Sequence, residues 1–159
     1  MGKFGAAVIL GLAMQTAPAY AICPPDTVEL RSASGQIMRF TVELADDEGE
    51  RSQGLMNRPK MATAAGMLFA YDQPQHVYFW MKNTLIPLDM VFADVGGQVL
   101  HVHSNARPLD ETSIDGGAGV TYVLEINGGL AARLGLSKGA VLRSSVFDQT
   151  NAIWPCTAE

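Results

Sequence analysis

The chain has 159 residues, 48% of them hydrophobic and 17% charged, enough for one ordinary domain with a real core. That balance excludes general disorder, which goes with apolar-poor, charge-rich chains. A formal net charge of −5 argues against a dedicated nucleic-acid binder, since such proteins carry a basic field. No nucleic-acid partner is expected.

The chain opens with Lys3 and an apolar run from Phe4 to Met14. As a helix this run is roughly 16 Å long, well short of a bilayer core of about 30 Å. It ends in Thr16-Ala17-Pro18-Ala19-Tyr20-Ala21, with Ala19 and Ala21 as the small pair that a signal peptidase requires. Residues 1–21 therefore read as a signal peptide cleaved after Ala21, and residues 22–159 as a single β-rich domain. Tyr20 and Ile22 stand where lipoprotein processing needs a leucine and a small residue, so Cys23 is not expected to carry lipid. No later apolar run approaches a spanning length, so no stable membrane insertion is expected. The expected product is soluble and periplasmic or secreted.

Cys23 and Cys156, the only cysteines, sit at the two ends of the mature chain. In an oxidising compartment such a pair reads as a disulfide. Closing so long a loop stabilises by roughly 5 kcal/mol at most in the chain-entropy view.

Period-two patterns dominate what lies between. Val28 to Arg31 and Ile37 to Ala45 flank a Ser34-Gly35 turn, which predicts a hairpin. Asp46 to Met56 predicts a short helix, capped by Asp46 or Asp47 with acidic residues in its first turn. Two strands follow, Gly66 to Tyr71 and Val77 to Met81, separated by Asp72, Gln73 and Pro74. Leu88 to Ala93 and Gln98 to His103 surround Asp94-Val95-Gly96-Gly97, a second hairpin signal. Asn105 to Gly119 has no apolar periodicity and reads as the longest loop. Val120 to Ile126 is a strand, Gly128 to Leu134 one or two helical turns, and Ala140 to Phe147 the last strand. The pattern predicts a mainly β single domain, of sandwich, jelly-roll or barrel-like type, with one or two short helices.

Several blocks carry a resemblance. They are Val42-Glu43-Leu44-Ala45, Arg51-Ser52-Gln53-Gly54-Leu55-Met56-Asn57-Arg58 and Gly66-Met67-Leu68-Phe69. The densest runs from Phe79 through Trp80-Met81-Lys82-Asn83-Thr84-Leu85-Ile86-Pro87 to Leu88-Asp89-Met90. Later come Tyr122-Val123-Leu124-Glu125-Ile126-Asn127-Gly128-Gly129 and Gly135-Leu136-Ser137-Lys138-Gly139. Over about residues 28–146 the chain resembles the domain of unknown function 192 family, a prokaryotic group whose members often carry export signals. The resemblance implies a single mainly β domain of sandwich or jelly-roll type with a short helix; it does not imply an activity. Function has to come from the residues.

Lys82, Asn83 and Thr84 follow an aromatic strand and precede Pro87, which places polar side chains at a strand end. Arg51 and Arg58 lie two helical turns apart and share a face if the helix continues that far, although Gly54 weakens that assumption. These basic groups could hold a carboxylate, a phosphate or a sugar oxygen. The plain alternative is a set of structural ion pairs, Arg51 with Glu43 or Glu125 and Lys82 with Asp89. Glu43, Asp89 and Glu125 sit inside apolar strand sequence, where carboxylates need partners. Trp80 and Tyr78 share a strand face and could stack on a planar ligand.

His101 and His103 project to one face, and with His76 they are the only histidines. Three nitrogens suffice for a metal, but a solvent-facing pair is the plainer reading. Met56, Met67, Met81 and Met90 lie in apolar runs and read as core. Serine-hydrolase, P-loop, zincin, CxxC and dinucleotide signatures are absent from the sequence. No cofactor or metal site is called for.

The leading expectation is a domain that binds a small anionic or polar ligand, carbohydrate included. Its site is Arg51, Arg58, Lys82 and Asn83 near Trp80, with Glu43, Asp89 and Glu125 orienting the basic groups. Two alternatives stand beside it: an envelope-polymer hydrolase using paired carboxylates, and a periplasmic metal handler.

Overall fold

The structure is a computed structural model that describes residues 23–156, so the expected signal peptide and its cleavage point lie outside the described residues. Seven strands and two short helices follow the chain. They are β1 (Thr27–Arg31), β2 (Ile37–Ala45), α1 (Glu48–Gln53), β3 (Ala65–Phe79), β4 (Leu88–Ala93), β5 (Val99–Ala106), β6 (Ile114–Asn127), α2 (Leu130–Arg133) and β7 (Val141–Arg143). The strands form one sheet in the order β5-β4-β6-β3-β2-β1-β7. All neighbours are antiparallel except β2 and β3.

The sheet curls until its two edges meet at one end. Gln98 bridges to Val141, and the Val99 N–H donates to the Ala140 carbonyl at 2.8 Å. This is the barrel-like member of the expected class. No helix among the described residues is long and apolar enough to cross a membrane.

Alternation along the strands divides the sheet into two buried faces. Leu68, Leu124 and Val91 are in register and belong to one core, with Phe40, Leu142 and Phe147. Phe69, Val123 and Phe92 are in register on the other face, where Leu55, Met81 and Met90 complete a second core. Met67, Met81 and Met90 are buried there, as the core reading requires.

Three expectations change. The strands predicted at 66–71 and 77–81 are one strand, β3, with Asp72, Gln73 and Pro74 exposed in an irregular stretch between the pairs Ala70–Tyr122 and Gln75–Val120. That bulge bends β3 so that Phe79 packs edge-on against Phe69, with ring centroids 5.2 Å apart. Second, most of the expected long loop is strand: β5 runs to Ala106 and β6 begins at Ile114. Gly116 sits at a register shift in this arm, where a Cβ would lie 2.4 Å from Val77 Cγ2 and 2.6 Å from Phe92 Cε1. Its glycine serves close packing, not a turn. Third, the last strand is short, because Ser144 to Phe147 closes in a turn.

Helix α1 is shorter than predicted. Asp47 caps it, accepting from the Glu50 N–H at 2.7 Å, and Glu50 accepts in return from the Asp46 N–H at 3.2 Å. Gly54, at φ 49°, ends it.

Cys23 and Cys156 form the expected disulfide, joining positions 133 residues apart. Beside it Trp154 lies between Arg31 and Arg143, whose guanidinium carbons are 4.6 and 4.1 Å from its ring. Arg143 and Arg39 both bind the buried carboxylate of Glu29. Burial works against ionising Glu29, but the two arginines outweigh it and hold the carboxyl below its usual range.

Candidate functional site

Of the expected site residues, Arg51, Trp80 and Glu125 line one cavity, and Asp89 lies on the other face of the sheet. The registers Glu43–Met67, Met67–Glu125 and Glu125–Met90 place Glu43 and Glu125 on the face of the second core. Asp89 pairs with Ile126, one residue on, and so belongs to the opposite face. It orients no basic group. It is fully buried and accepts backbone N–H groups from Asn105, Gly129 and Ala131 at 2.6, 2.9 and 2.6 Å. Asp89 ties the start of α2 and the end of β5 to β4, because a buried carboxylate needs donors and these backbone groups supply them.

Arg58 lies beyond the end of α1, so the two arginines share no helical face. Its guanidinium binds both oxygens of Glu43, the second at 2.5 Å, and the Glu43 carboxyl is held below its ordinary value by that hydrogen bond. Asn83, at φ 54°, is a turn residue whose carbonyl accepts from the Asn57 N–H at 2.8 Å. Its amide reaches Met56 Sδ at 3.9 Å. Arg58 therefore braces the segment after α1 against β2, and Asn83 braces it against the turn after β3. Lys82 does not pair with Asp89; its Nζ lies 4.9 Å from the centre of the Trp80 ring.

Arg51 is held differently again. Its Nη1 donates to the carbonyls of Asp46 and Ala70, the latter at 3.0 Å, and the guanidinium lies over the Tyr71 ring at 5.1 Å. Among the described residues no carboxylate pairs with it.

Arg51, Trp80, Thr84 and Glu125 line one small cavity of about 30 Å³. Glu125 is 4% exposed and has no hydrogen-bond partner among the described residues. Burial pushes its carboxyl up to about 8, so it carries a proton at neutral pH. The cavity shares Arg51, Ser52, Phe79 and Trp80 with an outer cleft of about 320 Å³ that Glu48, Tyr71 and Tyr78 complete. Trp80 and Tyr78 are 46% and 62% exposed, large apolar surface left open beside that cleft. Tyr71 had no distinguishing signal in sequence and enters through the bend of β3, while Thr84 comes from the polar turn expected after the aromatic strand.

The second carboxylate that a paired-carboxylate hydrolase needs is not placed beside Glu125 by this set. Asp89 is on the other face, and Glu43 is two strands away, across Met67, and engaged by Arg58. His76 and His101 both lie close enough to Asp115 to favour its ionised form. His76 bonds Asp115 at 2.6 Å and stacks on Tyr78, while His101 stacks on Phe92. Among the described residues no three His, Cys, Asp or Glu side chains gather as metal ligands. A larger cleft of about 360 Å³, lined by His103, Arg107, Asp110 and Asp115 among others, holds none of the expected site residues.

Two solved structures are similar. One is a protein from Sinorhizobium meliloti 1021, provisionally assigned as a transcription regulator, 45% identical, with a TM-score of 0.72 over 76% of this chain and 94% of that one. The other is a protein of unknown function from Novosphingobium aromaticivorans DSM 12444, 37% identical, with a TM-score of 0.70 over 86% of this chain and 99% of that one. A search of curated proteins finds no match. The domain of unknown function 192 family (uncharacterized ACR) matches residues 29–144, and the chain belongs to that family.

Proposed function

We propose that this protein is an exported domain that binds a small polar ligand in the cleft between α1 and the turn after β3. One observation carries the reading: Glu125, 4% exposed and without a hydrogen-bond partner among the described residues, lines a cavity with Arg51 and Trp80. A buried polar group is normally satisfied, and one left open towards a cavity marks a place where a ligand completes the bonding. Trp80, Tyr78 and Tyr71 supply flat apolar surface above it, suited to a sugar ring or another planar body. The net charge of −5 supports a small-molecule ligand over nucleic acid.

Export rests on the amino-terminal sequence and is supported by the Cys23–Cys156 disulfide, a bond typical of oxidising compartments. Terminal sequencing of protein recovered from the cell envelope should begin at Ile22. The binding reading is tested by a thermal-shift screen of sugars and small organic acids against the native protein and Trp80→Ala. Hits that shift the native protein and not the variant support the site. Hits of equal size in both place the ligand elsewhere.

A further inference from the structure

We infer that the ligand is a carboxylate borne on a ring-sized body: the carboxylate enters the small cavity between Arg51 and Glu125, and the body lies against Trp80 and Tyr78. This rests on the binding reading above and names its ligand class. Arg51 and Glu125 line one cavity without bonding to each other. Nη1 of Arg51 is engaged by two carbonyls, which fixes the guanidinium plane. Its Nη2 and Nε donors have no acceptor among the described residues. Glu125 is protonated and offers an O–H donor as well.

Beside the neutral side chains of Ser52, Gln53 and Thr84, the cavity is lined by the free donors of a cationic guanidinium and by the acid O–H of Glu125. A carboxylate satisfies all of them, taking the guanidinium fork with two oxygens and the acid proton with a remaining lone pair. A neutral hydroxyl can accept from only part of this set and leaves the cation uncompensated. The cavity of about 30 Å³ is small beside the outer cleft, so only the head of a ligand enters it. The outer cleft of about 320 Å³ fits a ring.

The other groups around Glu125 leave this balance intact. Met67 and Met90 flank it on β3 and β4 and carry no charge. Burial raises the Tyr71 phenol above its usual value, Arg51 lowering it and Glu125 adding to the rise, so Tyr71 is neutral here. Glu43 is engaged by Arg58, and Glu48 lies at the outer rim of the cleft.

The test is calorimetric titration of the native protein with matched probes: D-glucuronate against D-glucose, and benzoate against benzyl alcohol. At pH 6.5 each acid should bind at least about tenfold more tightly than its neutral partner, and that preference should shrink as pH passes 8 and Glu125 ionises. Glu125→Gln, which keeps an N–H donor, should retain the preference and lose its decline with pH. Arg51→Gln should abolish the preference. Equal affinity for acid and neutral probes would overturn the carboxylate inference and leave the binding reading standing. An acid preference that persists unchanged in both variants would also overturn it. Failure of all four probes and of every compound in the thermal-shift screen would remove the binding reading itself.

Discussion

Arg51 and Glu125 line the same cavity, yet neither bonds to the other. In a core built only for stability the two would be paired, because a buried carboxyl without a partner costs free energy. Here Arg51 of α1 is tied to backbone carbonyls, and β6 holds the acid in the same cavity as Trp80. The gap between them is the feature on which the functional account depends.

Glu125 should make stability pH-dependent with a definite sign. Its folded carboxyl is raised from 4.5 to about 8, so between those values the native state holds a proton that the unfolded state has lost. The contribution is present in full below pH 4.5 and declines as pH rises towards 8, by about 1.4 kcal/mol per unit at most. Denaturant melts at pH 5 and 8.5 should show Glu125→Gln gaining on the native protein at the higher pH. An unchanged difference would mean the carboxyl is ionised or hydrated in the fold.

Asp89 should behave as a structural residue. Asp89→Ala leaves three backbone N–H groups without their acceptor, and a loss of roughly 3 kcal/mol or more in unfolding free energy is expected. Asp89→Asn should fall between, because an amide nitrogen facing the Ala131 N–H repels it. Ligand binding, measured on whatever fraction stays folded, should be unaffected.

The arm formed by the end of β3 and the start of β6 closes through Gly116. Gly116→Ala should cost about 1–3 kcal/mol, because Val77 and Phe92 must move to admit the methyl group. It should also loosen Phe79 over the cleft, seen as faster hydrogen exchange at residues 77–80. Gly35→Ala offers a control, since no atom lies within 4 Å of a Cβ there, although its φ of 85° strains it alone.

Reduction of Cys23–Cys156, or the double change to serine, should lower stability by up to about 5 kcal/mol. The Arg31–Trp154–Arg143 stack and Glu29 should keep part of the carboxy-terminal segment docked. A melting temperature that does not change on reduction would show that these contacts suffice.

Much of this was legible in the sequence. Alternation located β1, β2, β4 and the central part of β6, and two terminal cysteines located the staple. The union of two predicted strands into β3 was not, since Asp72, Gln73 and Pro74 read as a loop when the antiparallel partner is unknown. The stretch from Asn105 to Gly119 read as a loop for the same reason, and Gly116 within it serves close packing. Arg51, Trp80 and Glu125, grouped because they fall in the blocks that carry the family resemblance, line one cavity. Asp89 was grouped with them on the same argument and lies on the opposite face. One step in register decides the face, and sequence spacing across separate strands does not fix that step.

The most direct measurement is a ¹H–¹⁵N NMR titration of the isotope-labelled protein with the strongest hit of the ligand screen. The account predicts that the Trp80 indole N–H and the Arg51 Nε–H shift together and saturate with one affinity, while the signals of His103 and Asp115 at the larger cleft stay still. Shifts confined to that larger cleft, or a Trp80 and Arg51 pair that never moves, would contradict it.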